Sequence, residues 1–305
     1  MTETPLIENS TTSVVFYQDD IPVRGCSFDI SHIKAAYREF VQLTHQEADR
    51  IVDKFVRPQK QKLAIFDQFK KAAKKNAFRV TVSVIGQDGQ IVFGDREELF
   101  DSKDLPYPIK TIFFTNTNSH KAAANGTLPP NYFSVWIHFD KPPLFDPHAI
   151  VSDATQNFSK VEIRAEDIGY FRAAQNITNK VLMKNRKWYS FIHAKFVYDV
   201  GLWFFAIPYA LYMITIVTDQ YIPLGSLHSS FRVAFFVYAS GMSLLIYRAL
   251  MSYLKWAFPV NVLTENRDKA TRHRVMLGAI FFSLVAAGVK SVLGSLIGLF
   301  RQLSP

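Results

Sequence analysis

His138 and Asp140 stand two residues apart in the segment NYFSVWIHFD, and strand alternation puts both on one face with Trp136. An imidazole beside a carboxylate suits general acid–base work or metal ligation. A third acid, Asp146, follows after KPPLF. Two residues do not complete a site, and a hydrogen-bonded pair at a sheet edge uses the same side chains. A ligand pocket here is expected between this strand and the polar loop NTNSHKAAANGTLPPN, since such loops over a sheet form binding surfaces. No HExxH, GxSxG or P-loop occurs, nor a GxGxxG followed by a suitable acid. Gly86, Gly89 and Gly94 fit a hairpin rather than a phosphate cradle. No cofactor and no metal are expected, and the sequence names no reaction.

Ionisable residues inside apolar stretches are the sharper signal, because they are costly in lipid and usually face protein or water. Asp199 sits about 5 Å inside the first such stretch, and Arg248 about 9 Å from the matching end of the second, at about 1.5 Å per helical residue. An Asp199–Arg248 ion pair is expected, with separate snorkelling of each as the alternative. Lys290 lies deeper in a third stretch, without an acid at its depth. It faces a pore or cavity, or snorkels outward. Around it Ala287, Ser291 and Ser295 recur at i, i+4 and i+8, and Gly294 and Gly298 form a GxxxG. Small residues at this spacing let helices approach closely, within the chain or between chains.

The stretches themselves are 196–217, 231–254 and 275–300, each long enough for the roughly 20 apolar residues that cross a bilayer. The third holds Lys290 and many small residues, so it reads as a third span or as a re-entrant helix. Lys184, Arg186, Lys187 and Lys195 precede the first, and Lys255, Arg267, Lys269, Arg272 and Arg274 follow the second. The loop Thr218–Ser230 has no Lys or Arg. The positive-inside rule therefore places the N-terminal domain in the cytoplasm and that loop outside. Residues 181–195, VLMKNRKWYSFIHAK, interleave basic and aromatic groups as an interfacial belt does. Pro208 is expected to bend the first span.

A second basic region is the helix expected over Gln59–Asn76, with Lys60, Lys62, Lys70, Lys71, Lys74 and Lys75 beside Phe66 and Phe69. It reads as a surface for anionic lipid headgroups or an acidic partner, or as a solvated face whose apolar side packs on the sheet. Nucleic acid is the least expected partner.

The elements that position these residues form an α+β domain. After a polar segment, 1–28, Ser31 reads as the cap of a long amphipathic helix, and the basic helix follows at Gln59. Next come the hairpin FRVTVSVIG–QDG–QIVFGD and strands at 109–115, 132–139 and 160–164. These make an antiparallel sheet of four to five strands. A connecting helix over Glu166–Lys187 is expected to close the domain, 29–180, and lead to the membrane.

The net charge of +9 divides into +4 up to Lys195 and +5 in the shorter remainder, which suits anionic headgroups. The single cysteine, Cys26, excludes an internal disulfide and suits a reducing compartment; it is also the natural thiol for an orientation test. No signal peptide is expected in MTETPLIENSTT. The expectation is a multi-pass membrane protein whose cytosolic α+β domain senses or binds a ligand or protein. Its spans anchor it, with homo-oligomerisation an open option, in a membrane read as the bacterial inner one. An oligomeric pore or membrane-perturbing effector is the alternative, and a membrane-tethered enzyme the third reading.

Overall fold

The computed structural model describes residues 15–57, 59, 62–144, 151–222, 229–266 and 271–279. The chain divides into two units. One comprises Met1–Phe139, Asn157–Arg186 and Asn261–Glu265, the other Asp140–Gln156, Lys187–Val260 and Asn266–Pro305.

The first unit is mixed α+β. Its strands are β1 (Tyr17–Pro22), β3 (Thr81–Gly86), β4 (Ile91–Gly94), β5 (Ile109–Thr115), β6 (Asn131–His138) and β7 (Lys160–Ala165). They form one antiparallel sheet in the order β1-β7-β6-β5-β3-β4. One sheet face is apolar at every second residue: Val82 and Val84, Ile112 and Phe114, Phe133, Val135 and Ile137, Val161 and Ile163 are all buried. That face packs against α1 (Ile30–Asp53) and α4 (Ile168–Asn176). The stripe Ile33, Tyr37, Phe40 of α1 meets the sheet through ring contacts, Tyr37 to Phe114 at 5.7 Å and Phe40 to Phe133 at 4.3 Å. The buried Tyr37 hydroxyl donates to the Val80 carbonyl at 2.8 Å, so the core carries no orphaned donor there.

Several boundaries differ from expectation. The sheet has six strands rather than four to five, because YQDDIP pairs with β7 from within the segment read as irregular. Its inward positions are Tyr17, Asp19 and Ile21, and Asp19 hides the alternation; its carboxylate accepts from Gln175 Nε2 at 2.6 Å. The long helix is capped by Asp29, not Ser31: Asp29 accepts from the His32 amide, and the Ser31 hydroxyl donates to the same carboxylate. The basic helix, α2, runs Leu63–Ala77. A short helix, α3 (Thr117–Ala123), folds inside the loop read as polar connection. The connecting helix does not reach Lys187. It passes from α4 into a π-helical turn, Ile177–Leu182, and stops, and Arg186 then bridges Cys26.

Two short strands complete this unit. β2 (Ser27–Phe28) pairs in parallel with β8 (Val262–Leu263), which follows the second apolar helix. On the other side of β2 the Ser27 amide donates to the Asn185 carbonyl at 3.0 Å. The backbone that leaves for the second unit and the backbone that returns from it therefore flank the same strand.

In the second unit two helices among the described residues are long and apolar enough to cross a membrane, Lys195–Tyr221 and Ser229–Ala257. Their apolar side chains stay largely exposed, with Phe204 at 73 % and Ile246 at 64 %. The first contains a π-helical turn, Gly201–Ala206, immediately before Pro208. A proline lacks the amide that an unbroken α-helix needs, and a shift of hydrogen-bond register accommodates that loss. Of the third apolar run, a helix from Thr271 to Ala279 is described and the remainder lies outside the described residues.

Candidate functional site

The sheet face opposite α1 and α4 carries three aromatic side chains in a row that crosses five strands. Phe93 pairs with Ser83, Ser83 with Phe113, Phe113 with Trp136, and Trp136 with Lys160. Phe113 and Trp136 stack with centroids 5.1 Å apart and planes 29° from parallel. Lys160 Nζ lies 5.2 Å from the Trp136 ring centre and 3.6 Å from both Asp20 and Glu162. Phe93 is 61 % exposed. The row can hold a flat or apolar group by stacking, with one ammonium and two carboxylates at its Lys160 end. Trp136 was legible as a candidate from sequence; Phe113 and Phe93 were not, because only strand register puts them beside it.

His138 lies on this face, one step further along β6. Its Nδ1 is 3.0 Å from the Thr111 hydroxyl, and its ring meets Phe158 edge-on at 5.9 Å. Asp140 follows the strand, is exposed and falls in the second unit. Asp146 lies outside the described residues. Part of the loop expected to cover a pocket folds as α3, Thr117–Ala123, whose Ser119 hydroxyl bonds backbone beside Arg79. Among the described residues no group of three His, Cys, Asp or Glu side chains is placed to hold a metal ion.

The basic helix exposes more than charge. Of its apolar residues only Phe66 is buried, whereas Ile65 and Phe69 are about half exposed. Lys62, Lys71 and Lys75 are exposed around them, Lys74 pairs with Asp49, and Lys70 lies over the Phe66 ring at 5.3 Å. Lys60 lies outside the described residues.

The place where the chain leaves and re-enters the α+β unit is built around Asn261, which is 1 % exposed. Its Oδ1 accepts from the Cys26 amide at 3.2 Å, while Nδ2 donates to the Val23 carbonyl at 3.0 Å and to Ser159 Oγ at 2.9 Å. The Ile30 amide donates to Glu265 at 2.7 Å, so the returning strand also caps the start of α1. Cys26 is buried here, and burial pushes its thiol up to about 11 despite the nearby Arg186.

In the second unit, the segment before the first apolar helix is fixed by His193. The Phe258 carbonyl, 2.6 Å from Nε2, can only accept, so Nε2 carries the proton and Nδ1 receives the Thr155 hydroxyl at 2.9 Å. Burial pushes this imidazole down to about 4. Lys255, also buried, donates to the carbonyls of Val151 and Asp153 at 2.7 Å each. Trp188 is 79 % exposed, as an interfacial anchor is, while Tyr189 is buried against Phe258.

Within the helical pair the charges are arranged differently from expectation. Among the described residues no ion pair joins Asp199 to Arg248. Asp219 instead pairs with Arg232 at 2.6 Å, where the two helices meet their connecting loop. The Tyr247 hydroxyl donates to the Tyr198 carbonyl at 2.8 Å, and it does so against Gly201, where any Cβ would collide with it. A cavity of about 140 Å³ opens between the helices, lined chiefly by Leu202, Ala206, Ala210, Ser240, Ser243 and Tyr247. Lys290, Ala287, Ser291, Ser295, Gly294 and Gly298 lie outside the described residues. No family model, curated protein or solved structure matches the chain.

Proposed function

We propose that this is a multi-pass membrane protein whose cytosolic α+β domain binds a ligand or partner on its open sheet face. The apolar helices anchor it and carry the binding event to the membrane. The observation that carries this reading is the double attachment at β2: the chain departs at Asn185–Arg186 and returns at Asn261–Leu263 on adjacent backbone. A tethered anchor needs one connection. Two connections on one strand bring both ends of the intervening segment to the same strand of the domain, and this supports the coupling reading. The same attachment favours an even number of crossings between Arg186 and Asn261, in agreement with the basic residues on both flanks and a loop at 218–230 without Lys or Arg. The third apolar run then makes a further crossing.

Orientation is tested with cysteines introduced one at a time in intact cells. Ser226→Cys should react with an impermeant maleimide from outside, Gln68→Cys only after permeabilisation, and the protein should stay in the membrane through carbonate extraction. Carbonate release, or the reverse labelling pattern, overturns the reading. Ligand binding is tested by native mass spectrometry of the full chain released from detergent. A bound mass present in the parent and lost in Trp136→Ala and Phe113→Ala supports the sheet face as the site. A mass retained in both variants moves the site elsewhere.

A further inference from the structure

We infer that the free edge of β4 pairs with β4 of a second copy of this chain, antiparallel about a two-fold axis at Val92, so that two sheets join into one. The sheet ends in β1 on one side and β4 on the other, and the two edges are built differently. β1, YQDDIP, carries two acids and a proline, and its Asp19 turns inward to Gln175. Inward charge and proline keep an edge from pairing with another chain. β4, IVFG, has no charge and no proline, and only its shortness protects it. Its Ile91 and Phe93 side chains, each 61 % exposed, stand on the open sheet face.

Register shows which backbone groups are free. The Gly86 amide donates to the Gln90 carbonyl, and Val84 and Val82 pair with Val92 and Gly94. Bonded and unbonded pairs alternate in an antiparallel ladder, so Gln90, Val92 and Gly94 turn their amides and carbonyls to β3. Those of Ile91 and Phe93 point outward, and no strand lies beyond them among the described residues. Setting Ile91 opposite Phe93 of the second copy uses all four groups on each side, in four backbone hydrogen bonds. The same register sets the exposed Asp88 of one copy level with the exposed Arg96 of the other, at both ends of the seam. Arg96 makes no ion pair of its own among the described residues. Sliding the seam by two residues would set Asp88 against Glu98, or Phe93 against Gly89. The edge is thus complementary to itself in one register, as a two-fold contact must be, which favours a second copy over a foreign strand. The row Phe93, Phe113, Trp136 then continues into Ile91 of the second copy. This inference stands apart from the membrane reading.

Disulfide trapping of the full chain in mild detergent tests this, with the buried Cys26 left in place. Opposed residues of an unbonded antiparallel pair have Cα atoms about 4.5 Å apart, within disulfide reach. Val92→Cys should therefore oxidise to a covalent dimer. In Gln90→Cys the two thiols lie about 14 Å apart along the seam, and that chain should stay monomeric. Ile91→Cys with Phe93→Cys, opposed on the other face, gives a second reading should Val92→Cys fail to fold. Adding Asp88→Arg to Val92→Cys should lower the dimer yield several-fold, since like charges then meet at both ends. Adding Arg96→Asp as well should restore it. A folded Val92→Cys chain that stays monomeric, or links no better than Gln90→Cys, overturns the inference. Yield unmoved by Asp88→Arg overturns the register. Linkage to a different protein when Val92→Cys is oxidised in the host's membranes gives the edge to a foreign strand, and overturns the inference too. None of these readouts depends on carbonate extraction or on a bound mass, so failure here leaves the proposed function standing.

Discussion

His193 converts its surroundings into a pH dependence of stability. Its folded value is about 4, below the ordinary 6.5, so between these limits the unfolded chain binds a proton that the folded chain does not. Stability is therefore present in full above pH 6.5 and falls as pH drops toward 4, by on the order of 3 kcal/mol in total. Thermal unfolding of the detergent-solubilised protein between pH 4 and 7 should show this slope. His193→Gln, which can still donate to Phe258 and accept from Thr155, should flatten it; an unchanged slope would assign the effect to other groups. Nothing in the local sequence marks His193, since its partners lie 38 and 65 residues away. The Asp199–Arg248 expectation rested on matched depth, but depth along two helices does not set the angle at which each side chain leaves. At that level the contact between helices is taken by Tyr247 and Gly201.

Among the elements, α2 best separates a bland surface from a working one. A helix that packed its apolar side on the sheet would bury Ile65 and Phe69 along with Phe66, yet those two stay about half exposed beside Lys62, Lys71 and Lys75. Such a face suits an anionic lipid surface, where each cation contributes about 1 kcal/mol at low salt. A Phe69→Cys thiol carrying an environment-sensitive dye should shift to the blue in nanodiscs containing phosphatidylserine, but not in neutral ones. Lys71→Glu with Lys75→Glu, or high salt, should remove the shift. The same spectrum in both lipids would return α2 to the status of a solvated face. The helical period and the lysines were legible in the sequence. The exposure was not, because periodicity gives the angle of a stripe and not what lies opposite it.

At the scale of the molecule, the return of Asn261–Glu265 makes the α+β unit discontinuous. Cutting the chain after Arg186 removes β8 and leaves the Cys26 amide without its Asn261 acceptor, at a cost of about 1–3 kcal/mol for that buried orphan, while the Val23 carbonyl keeps Asn157. The piece 1–186 should therefore be poorly soluble, with a lower melting temperature. Joining Arg186 to Asn261 by about six Gly and Ser residues should restore a folded soluble domain, since strands flanking β2 lie about 10 Å apart. Equal stability of the two proteins would show that the seam is dispensable. Cys26, 1 % exposed, is inside this seam, so it cannot serve as the orientation label that its solitary place in the sequence suggests.

Hydropathy determined the two long apolar helices, because length and composition alone decide whether a helix can cross a bilayer. Strand alternation and the Asp88-Gly89 turn, with Gly89 at φ +85°, likewise determined the β3–β4 hairpin. Local periodicity also placed β5, β6 and β7 within a residue or two of where they stand. Only tertiary structure decided which strands are neighbours, and hence that Phe93, Phe113, Trp136 and Lys160 share one row. It alone made a strand of YQDDIP, whose inward Asp19 depends on Gln175 for a partner. It alone, too, brought residues 261–265 back to β2, 235 positions from Cys26. Those contacts are long-range hydrogen bonds between short polar segments, and they leave no periodic trace in the chain that makes them.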